Sequence, residues 1–83
     1  MVLTDIDRAI IAKFYRLHAA GAKHTPVDNV PKGFPKHLRG EVKKAVKRLI
    51  KESWLIPHPT RHGLDVALNS KRLPEAKKIA EEI

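Results

Sequence analysis

The sequence predicts a single α+β domain, mostly helical, that covers residues 1–83. Three observations lead to this class. Apolar residues recur at helical spacing in three segments. A stretch rich in Pro and Gly separates the first segment from the second. After the second segment, apolar residues occupy every other position, as in a β-strand. The expected order is a helix, a short helix, a long basic helix, a β-hairpin and a C-terminal helix. Residues 4–69 form the expected core of the domain, and residues 70–83 add the last helix.

The first helix is expected to begin after Thr4, because a Thr side chain is a good N-cap. Asp5 and Asp7 then fall in the first turn, where the helix dipole favours negative charge. The apolar residues that follow share one helical face: Ile6, Ile10, Phe14 and Leu17. Gly21 is expected to end the helix.

A short second helix is expected in the turn that follows. Thr25 before Pro26 is typical of a helix start, with an N-cap residue and then Pro at the first helical position. Pro31 and the Gly and Pro after it limit any helix here to residues 26–30. The connection to the next element is therefore short and constrained.

Residues 35–52 are expected to form one long helix with two contrasting faces. On a helical projection its aliphatic residues lie together: Leu38, Val42, Ala45, Val46, Leu49 and Ile50. Lysines occupy the opposite face, and Arg39 and Arg48 lie at its two edges, between the lysines and the aliphatic residues. Gly40 falls in the middle of the lysines, although Gly inside a helix costs about 0.8–1 kcal/mol relative to Ala.

A β-hairpin is expected next, because the large apolar residues of 64–68 occupy every other position: Leu64, Val66 and Leu68. Residues 54–57 are the expected partner strand, and residues 58–63 are the connecting loop. Pro57 and Pro59 cannot donate to a neighbouring strand, which predicts that this arm lies at a sheet edge.

The last segment, residues 70–83, has the features of an amphipathic helix. Pro74 suits its first turn. A weak apolar stripe follows at helical spacing: Leu73, Ala76, Ile79 or Ala80, and Ile83.

The distribution of charge indicates a polyanionic partner. Residues 32–62 hold nine Lys or Arg and two acidic residues, which gives this segment a charge of +7. The rest of the chain contributes +1 to the formal net charge of +8. A solvated lysine surface normally alternates with acidic residues, and this segment does not, so the pattern favours binding of nucleic acid.

Composition argues against several other classes. The chain has no Cys, so neither a disulfide framework nor a thiolate metal site is expected. His58 and His62 are four residues apart across a predicted loop, a weak pattern for zinc, and no nucleophile–base pair is recognisable. We therefore expect no metal, no cofactor and no enzymatic activity.

With no apolar run long enough to span a bilayer and no signal-peptide pattern, we expect a cytoplasmic protein without membrane contact. The absence of Gln and the excess of Lys, Arg and Glu fit a thermophilic source.

The candidate nucleic-acid-binding residues lie in the basic helix, the turn before it and the hairpin loop: Lys32, Lys36, His37, Arg39, Gly40, Lys43, Lys44, Lys47, Arg48, Lys51, Arg61 and His62. Lysine is a compact charge on a flexible stem, which suits phosphate, whereas base recognition favours Arg, Asn or Gln. Gly40 lacks a Cβ, so the helix backbone there can approach a phosphate or sugar closely. The pattern predicts contact with the backbone of a double helix rather than base-specific contact.

The run LRGEVKKAVKRLIKESWLIPHPTRHGLDVALN, from Leu38 to Asn69, resembles the recognition helix and wing of winged helix-turn-helix domains. The early Gly in the helix and the HG pair at the wing are similar in particular to the small winged-helix ribosomal proteins of archaea and eukaryotes. The resemblance covers residues 4–69 and implies three helices with a β-hairpin wing, a nucleic-acid-binding role and the ribosome as a candidate partner. The sequence departs from the family pattern at Ser53 or Trp54, where a Gly is usual.

Structured RNA, with ribosomal RNA as the candidate, is the expected target, but two alternatives stay open. One is a DNA-binding transcription regulator that dimerises through the C-terminal helix. The other is a protein-interaction module whose basic face docks an acidic partner. The sequence does not determine the oligomeric state.

Overall fold

The computed structural model describes residues 2–21 and 24–83. Within these ranges the chain is α+β and mostly helical, as predicted, and its α-helices are α1 (Asp5–Ala19), α2 (Arg39–Lys51) and α3 (Leu73–Glu82). The strands are β1 (Thr25–Pro26), β2 (Leu55–Thr60) and β3 (Gly63–Leu68), which form an antiparallel sheet in the order β1-β3-β2. Short 3₁₀ turns connect these elements: Val27–Asn29, Pro31–Gly33, Lys36–Leu38 and Ser70–Arg72.

The start of α1 follows the prediction. The Thr4 hydroxyl accepts a hydrogen bond from the Asp7 backbone N–H (3.1 Å), and the Asp7 carboxylate accepts one from the Thr4 N–H (3.0 Å). This reciprocal capping box satisfies two of the N–H groups that a helix start leaves without partners. The helix ends at Ala19, and Gly21 then has a φ of 91°, a left-handed conformation that Gly adopts without strain.

The short helix predicted over 26–30 is reduced to a 3₁₀ helix over Val27–Asn29, and Pro26 lies outside it. Thr25 and Pro26 form β1, in which they pair with Val66 and Asp65 of β3. The residues after β1 form two 3₁₀ turns, closed by hydrogen bonds from Val30 N–H to Val27 O (3.3 Å) and from the Phe34 N–H to the carbonyl of residue 31 (3.0 Å). The φ of Pro suits an extended strand as well as a helix start, so the Thr–Pro signal was ambiguous.

The basic helix is shorter than the predicted 35–52. Pro35 is extended (ψ 147°), and residues 36–38 form a 3₁₀ turn in which the Leu38 N–H donates to Pro35 O (2.9 Å). The α-helix begins at Arg39, so Gly40 lies in its first turn and not in the second. The two faces are as predicted, because Val42 and Leu49 are fully buried and the other aliphatic residues are buried or half-buried.

Ser53 replaces the Gly that the resemblance leads one to expect after this helix. It has a φ of 63°. The Ser53 N–H donates to Ile50 O (3.1 Å) and the Trp54 N–H donates to Leu49 O (2.9 Å), which is the hydrogen-bond pattern of a Schellman motif. The C-terminal end of α2 is therefore well defined, but a residue with a side chain occupies the left-handed position.

The hairpin is longer than predicted, and its turn is shorter. Residues 58–60 belong to β2 and Gly63 begins β3, so the expected loop 58–63 reduces to the pair Arg61 and His62. Gly63 has a φ of 135°, and its carbonyl accepts a hydrogen bond from the Thr60 hydroxyl (2.9 Å). β2 lies at the edge of the sheet, as its two prolines predicted, because β3 separates it from β1.

The core lies between α1, α2 and the sheet, with fully buried side chains at Ile10, Ile11, Leu49, Leu55 and Val66. The added helix α3 packs against α1 through the predicted stripe, of which Ala76 is fully buried and Leu73 and Ile79 are partly buried. Ile83, the last member of the predicted stripe, is 63% exposed. This arrangement leaves the outer face of α2 free of cover from α3 or the sheet.

Replacing Ser53 by Gly should stabilise the fold by about 0.5–1 kcal/mol. A left-handed conformation costs a residue with a Cβ about 1–2 kcal/mol, and the greater chain entropy of Gly in the unfolded state cancels about 0.5–1 kcal/mol of the gain. The free energy of unfolding in urea measures the effect. Ser70→Gly is the matched control, since Ser70 does not have a positive φ, and it should lower stability. Equal changes in the two variants would contradict the explanation.

Candidate nucleic-acid interface

The predicted nucleic-acid-binding residues occupy three parts of the fold. Lys32, Lys36 and His37 lie in the 3₁₀ turns that precede α2, and Arg61 and His62 form the turn between β2 and β3. The remaining residues lie on α2: Arg39, Gly40, Lys43, Lys44, Lys47, Arg48 and Lys51. All of them are exposed except the side chain at position 39, which is half-buried.

Four lysines on the outer side of α2 form what we call the cationic face: Lys43, Lys44, Lys47 and Lys51. They project opposite the buried stripe of the same helix. With a rise of about 1.5 Å per residue, the charges from Lys43 to Lys51 extend over about 12 Å along one side of the helix. The geometry suits a row of phosphates more than a single anion.

Gly40 lies within the cationic face and has no packing role in the part of the chain that the structure describes. A Cβ added at this position would have no atom within 4 Å among the described residues. The helix therefore carries a residue of poor helix propensity without a compensating contact in the fold.

Arg48 is bound to the protein itself. Its guanidinium lies 3.0 Å from the Asp7 carboxylate, which is fully buried at the start of α1. The Arg48 side chain remains 45% exposed. It neutralises a carboxylate that would otherwise be buried without a counter-charge, and it joins α2 to α1.

Arg39 also makes a hydrogen bond within the chain, from its Nε to the Phe34 carbonyl (3.3 Å). Arg39 and Arg48, at the two edges of the cationic face, thus hold α2 against the turn before it and against α1. Neither interaction was visible in the sequence. Arg48 and Asp7 are 41 positions apart, and the bond from Arg39 depends on the turn that brings the Phe34 carbonyl, five positions earlier, to its Nε. The lysines, and not the arginines, supply the freely exposed charge of α2.

The two flanks of the cationic face differ in charge. On the side of α1, a cleft of about 380 Å³ contains acidic and basic residues together: Thr4, Asp5, Ile6, Glu41, Lys44 and Arg48. On the side of the hairpin, a groove of about 320 Å³ has Lys43 and Lys47 on its rim. We call the second feature the hairpin-side groove. A polyanion meets less acidic surface on this second side.

The hairpin-side groove was not predicted. Its floor is apolar and comes from three separate parts of the chain: Val27, Val46, Ile50 and Leu64. Asp28 also lines it. Leu64 is two residues beyond His62, so the hairpin turn lies within about 7 Å of chain from the groove. No sequence pattern could reveal a groove whose walls meet only in the folded chain.

The histidines of the hairpin do not form a pair. His62 is exposed at the turn, whereas His58 lies in β2 and its ring stacks on that of His24, with 4.2 Å between centroids and an interplanar angle of 15°. Among the residues that the structure describes, no group of three or more His, Cys, Asp or Glu is arranged to hold a metal ion.

Comparisons with known proteins add no relative: no protein-family model, curated protein or solved structure matches the chain. Of the helices that the structure describes, none is both long and apolar enough to cross a membrane.

Replacing Arg48 by Met should destabilise the protein by about 1–3 kcal/mol. The change leaves the buried Asp7 carboxylate without its counter-charge, and partial exposure of Arg48 reduces the cost from the full value for a buried pair. Urea unfolding measures the difference. Lys44→Met is the control on the same helix, because this exposed lysine should tolerate the change within about 0.5 kcal/mol. Equal losses in both variants would show that the ion pair contributes little.

Proposed function

We propose that the chain is a winged helix-turn-helix protein that binds the phosphate backbone of double-helical RNA through α2. The order of elements supports the topology. A helix, a short strand, a pair of turns, a basic helix and a hairpin follow one another, and the first strand joins the hairpin on the side of β3. In this proposal α2 is the recognition helix, the β2–β3 hairpin is the wing, and the turns Val27–Asn29 and Pro31–Gly33 replace the usual second helix.

The observation that carries the proposal is the cationic face. Its four lysines are exposed on one side of a helix whose other side is buried in the core. Like charges on neighbouring turns repel each other, and the repulsion is relieved when phosphates bind between them. Arg61, at the exposed turn of the hairpin, offers a second contact with the backbone of the same ligand.

Two features favour RNA over a sequence-specific DNA regulator. Base recognition in the major groove of DNA depends on Arg, Asn or Gln, and Arg39 and Arg48 of α2 are engaged in hydrogen bonds to the protein. The alternative regulator dimerises through α3, but Ala76 of α3 is buried against the rest of the chain. The first feature supports recognition of shape and backbone, which is the usual way in which double-stranded RNA is bound, and the second leaves less of α3 available for dimerisation.

Reversing two charges of the cationic face tests the proposal. Lys43→Glu combined with Lys47→Glu should weaken binding to an RNA duplex by on the order of 100-fold, because two phosphate contacts become repulsions. Fluorescence anisotropy at fixed salt measures affinity, and circular dichroism checks the fold. The matched control is Lys77→Glu with Lys78→Glu on α3, which changes the net charge equally on exposed residues.

If both double variants lose affinity equally, net charge and not the cationic face determines binding. The salt dependence is a second check on the same protein. With four or five phosphate contacts, the slope of log K against log salt should be about −4 on duplex DNA and less steep on RNA, and a slope near zero would contradict the electrostatic mechanism.

Gly40 offers a separate test of close contact. Gly40→Ala should stabilise the free protein by up to about 1 kcal/mol, because nothing in the described chain obstructs the added methyl group. The same change should weaken RNA binding, and Gly40→Leu should weaken it further, if the backbone of the first turn touches phosphate or sugar. Unfolding and anisotropy measurements on both variants separate the effects. Unchanged affinity in both would show that the ligand does not reach this turn.

A further inference from the structure

The hairpin-side groove has properties that phosphate binding does not use. Its apolar floor includes Val27, Ile50 and Leu64, which are only half-buried and so remain partly in contact with water. Phosphate and sugar gain little from such a floor. An apolar surface is stabilised by contact with another apolar surface, and in a nucleic acid that surface is the face of a base.

The size of the groove limits what it can hold. At about 320 Å³ it lies near the lower end of the range of small-molecule sites, which is about 300–1,000 Å³. One base with its sugar fits such a volume. Bases inside a double helix have their faces covered by neighbouring pairs, so the occupant is a base that is neither paired nor stacked.

The charges around the groove match a nucleotide. Lys43 and Lys47 on the rim suit the phosphates on either side of the base. Asp28, which also lines the groove, repels phosphate, and its presence is unfavourable for a surface that binds only a backbone. An ionised carboxylate accepts hydrogen bonds and donates none, so it suits a base edge that carries N–H donors.

We propose that the hairpin-side groove binds one unpaired guanine, whose Watson–Crick edge donates hydrogen bonds to the Asp28 carboxylate. This inference rests on the proposed RNA-binding role. Guanine has two adjacent donors on that edge, N1–H and the N2 amino group, which match the two oxygens of a carboxylate. Adenine, cytosine and uracil each place an acceptor beside their donor, and this acceptor faces a carboxylate oxygen unfavourably. The RNA target is therefore a helix with a bulged guanine.

The test compares RNA hairpins that differ at one nucleotide. The native protein should bind a hairpin with a single bulged guanine about tenfold or more tightly than the same hairpin without the bulge. Bulged adenine, cytosine and uracil should give little of this gain, and bulged inosine, which lacks the N2 amino group, should be intermediate. Fluorescence anisotropy at one salt concentration measures all five affinities against the paired hairpin.

The variant Asp28→Asn links the preference to the groove. It should lose the preference for guanine but retain at least the native affinity for the fully paired hairpin. Asp28 is exposed, so the fold should be unaffected, and an amide NMR spectrum verifies this. Glu52→Gln, an equal change of charge at an exposed residue after α2, is the matched control and should keep the preference.

The outcomes separate the two proposals. Two results would overturn the guanine site and leave the proposed function standing. One is equal binding of the paired and bulged hairpins. The other is tighter binding of every bulged hairpin, whichever base is bulged, that Asp28→Asn does not change. Failure to bind any hairpin would overturn both. The groove would instead be a protein-docking site if an acidic amphipathic peptide shifted the methyl NMR signals of Ile50 and Leu64 and the bulged hairpin did not.

Discussion

The orientation of the basic helix depends on one buried carboxylate. One carboxylate oxygen of Asp7 accepts a hydrogen bond from the Thr4 N–H and so helps to start α1. The other accepts a hydrogen bond from the guanidinium of Arg48 on α2. A carboxylate removed from water without partners costs several kcal/mol, so the arrangement is stable only while both contacts are made. The first helix and the basic helix are therefore fixed relative to each other, and the lysines of α2 are held toward solvent.

Arginine and lysine have different roles in this chain. Arg72 donates to the carbonyls of Glu52 (3.0 Å) and Ser53 (3.2 Å) at the C-terminal end of α2, and its guanidinium lies 4.5 Å from the centre of the Trp54 ring. Arg48 lies in the last turn of the same helix, so both arginines hold the C-terminal end of α2, each through a planar group with several donors. The lysines of the cationic face are left exposed. The exposed positive charge of α2 therefore lies mainly on its lysines.

Local signals predicted those parts of the fold that depend on neighbouring residues. The capping box at Thr4, the two faces of α2 and the edge position of β2 each follow from a few adjacent side chains. β1 could not be predicted, because two residues form a strand only when β3 is already beside them. For the candidate site, the exposure of the lysines was predictable, whereas the hairpin-side groove and the Arg48–Asp7 pair depend on residues far apart in sequence.

The two flanks of α2 determine the side from which a polyanion approaches. Asp5 and Glu41 line the cleft toward α1, and like charge there opposes phosphate within a distance of about 10 Å at moderate salt. Toward the hairpin, Lys43 and Lys47 line a groove with apolar side chains and one carboxylate, that of Asp28. The attractive charge and the accessible apolar surface therefore coincide on one flank. A polyanion that follows the lysines therefore meets repulsion on the side of α1 and attraction on the side of the hairpin.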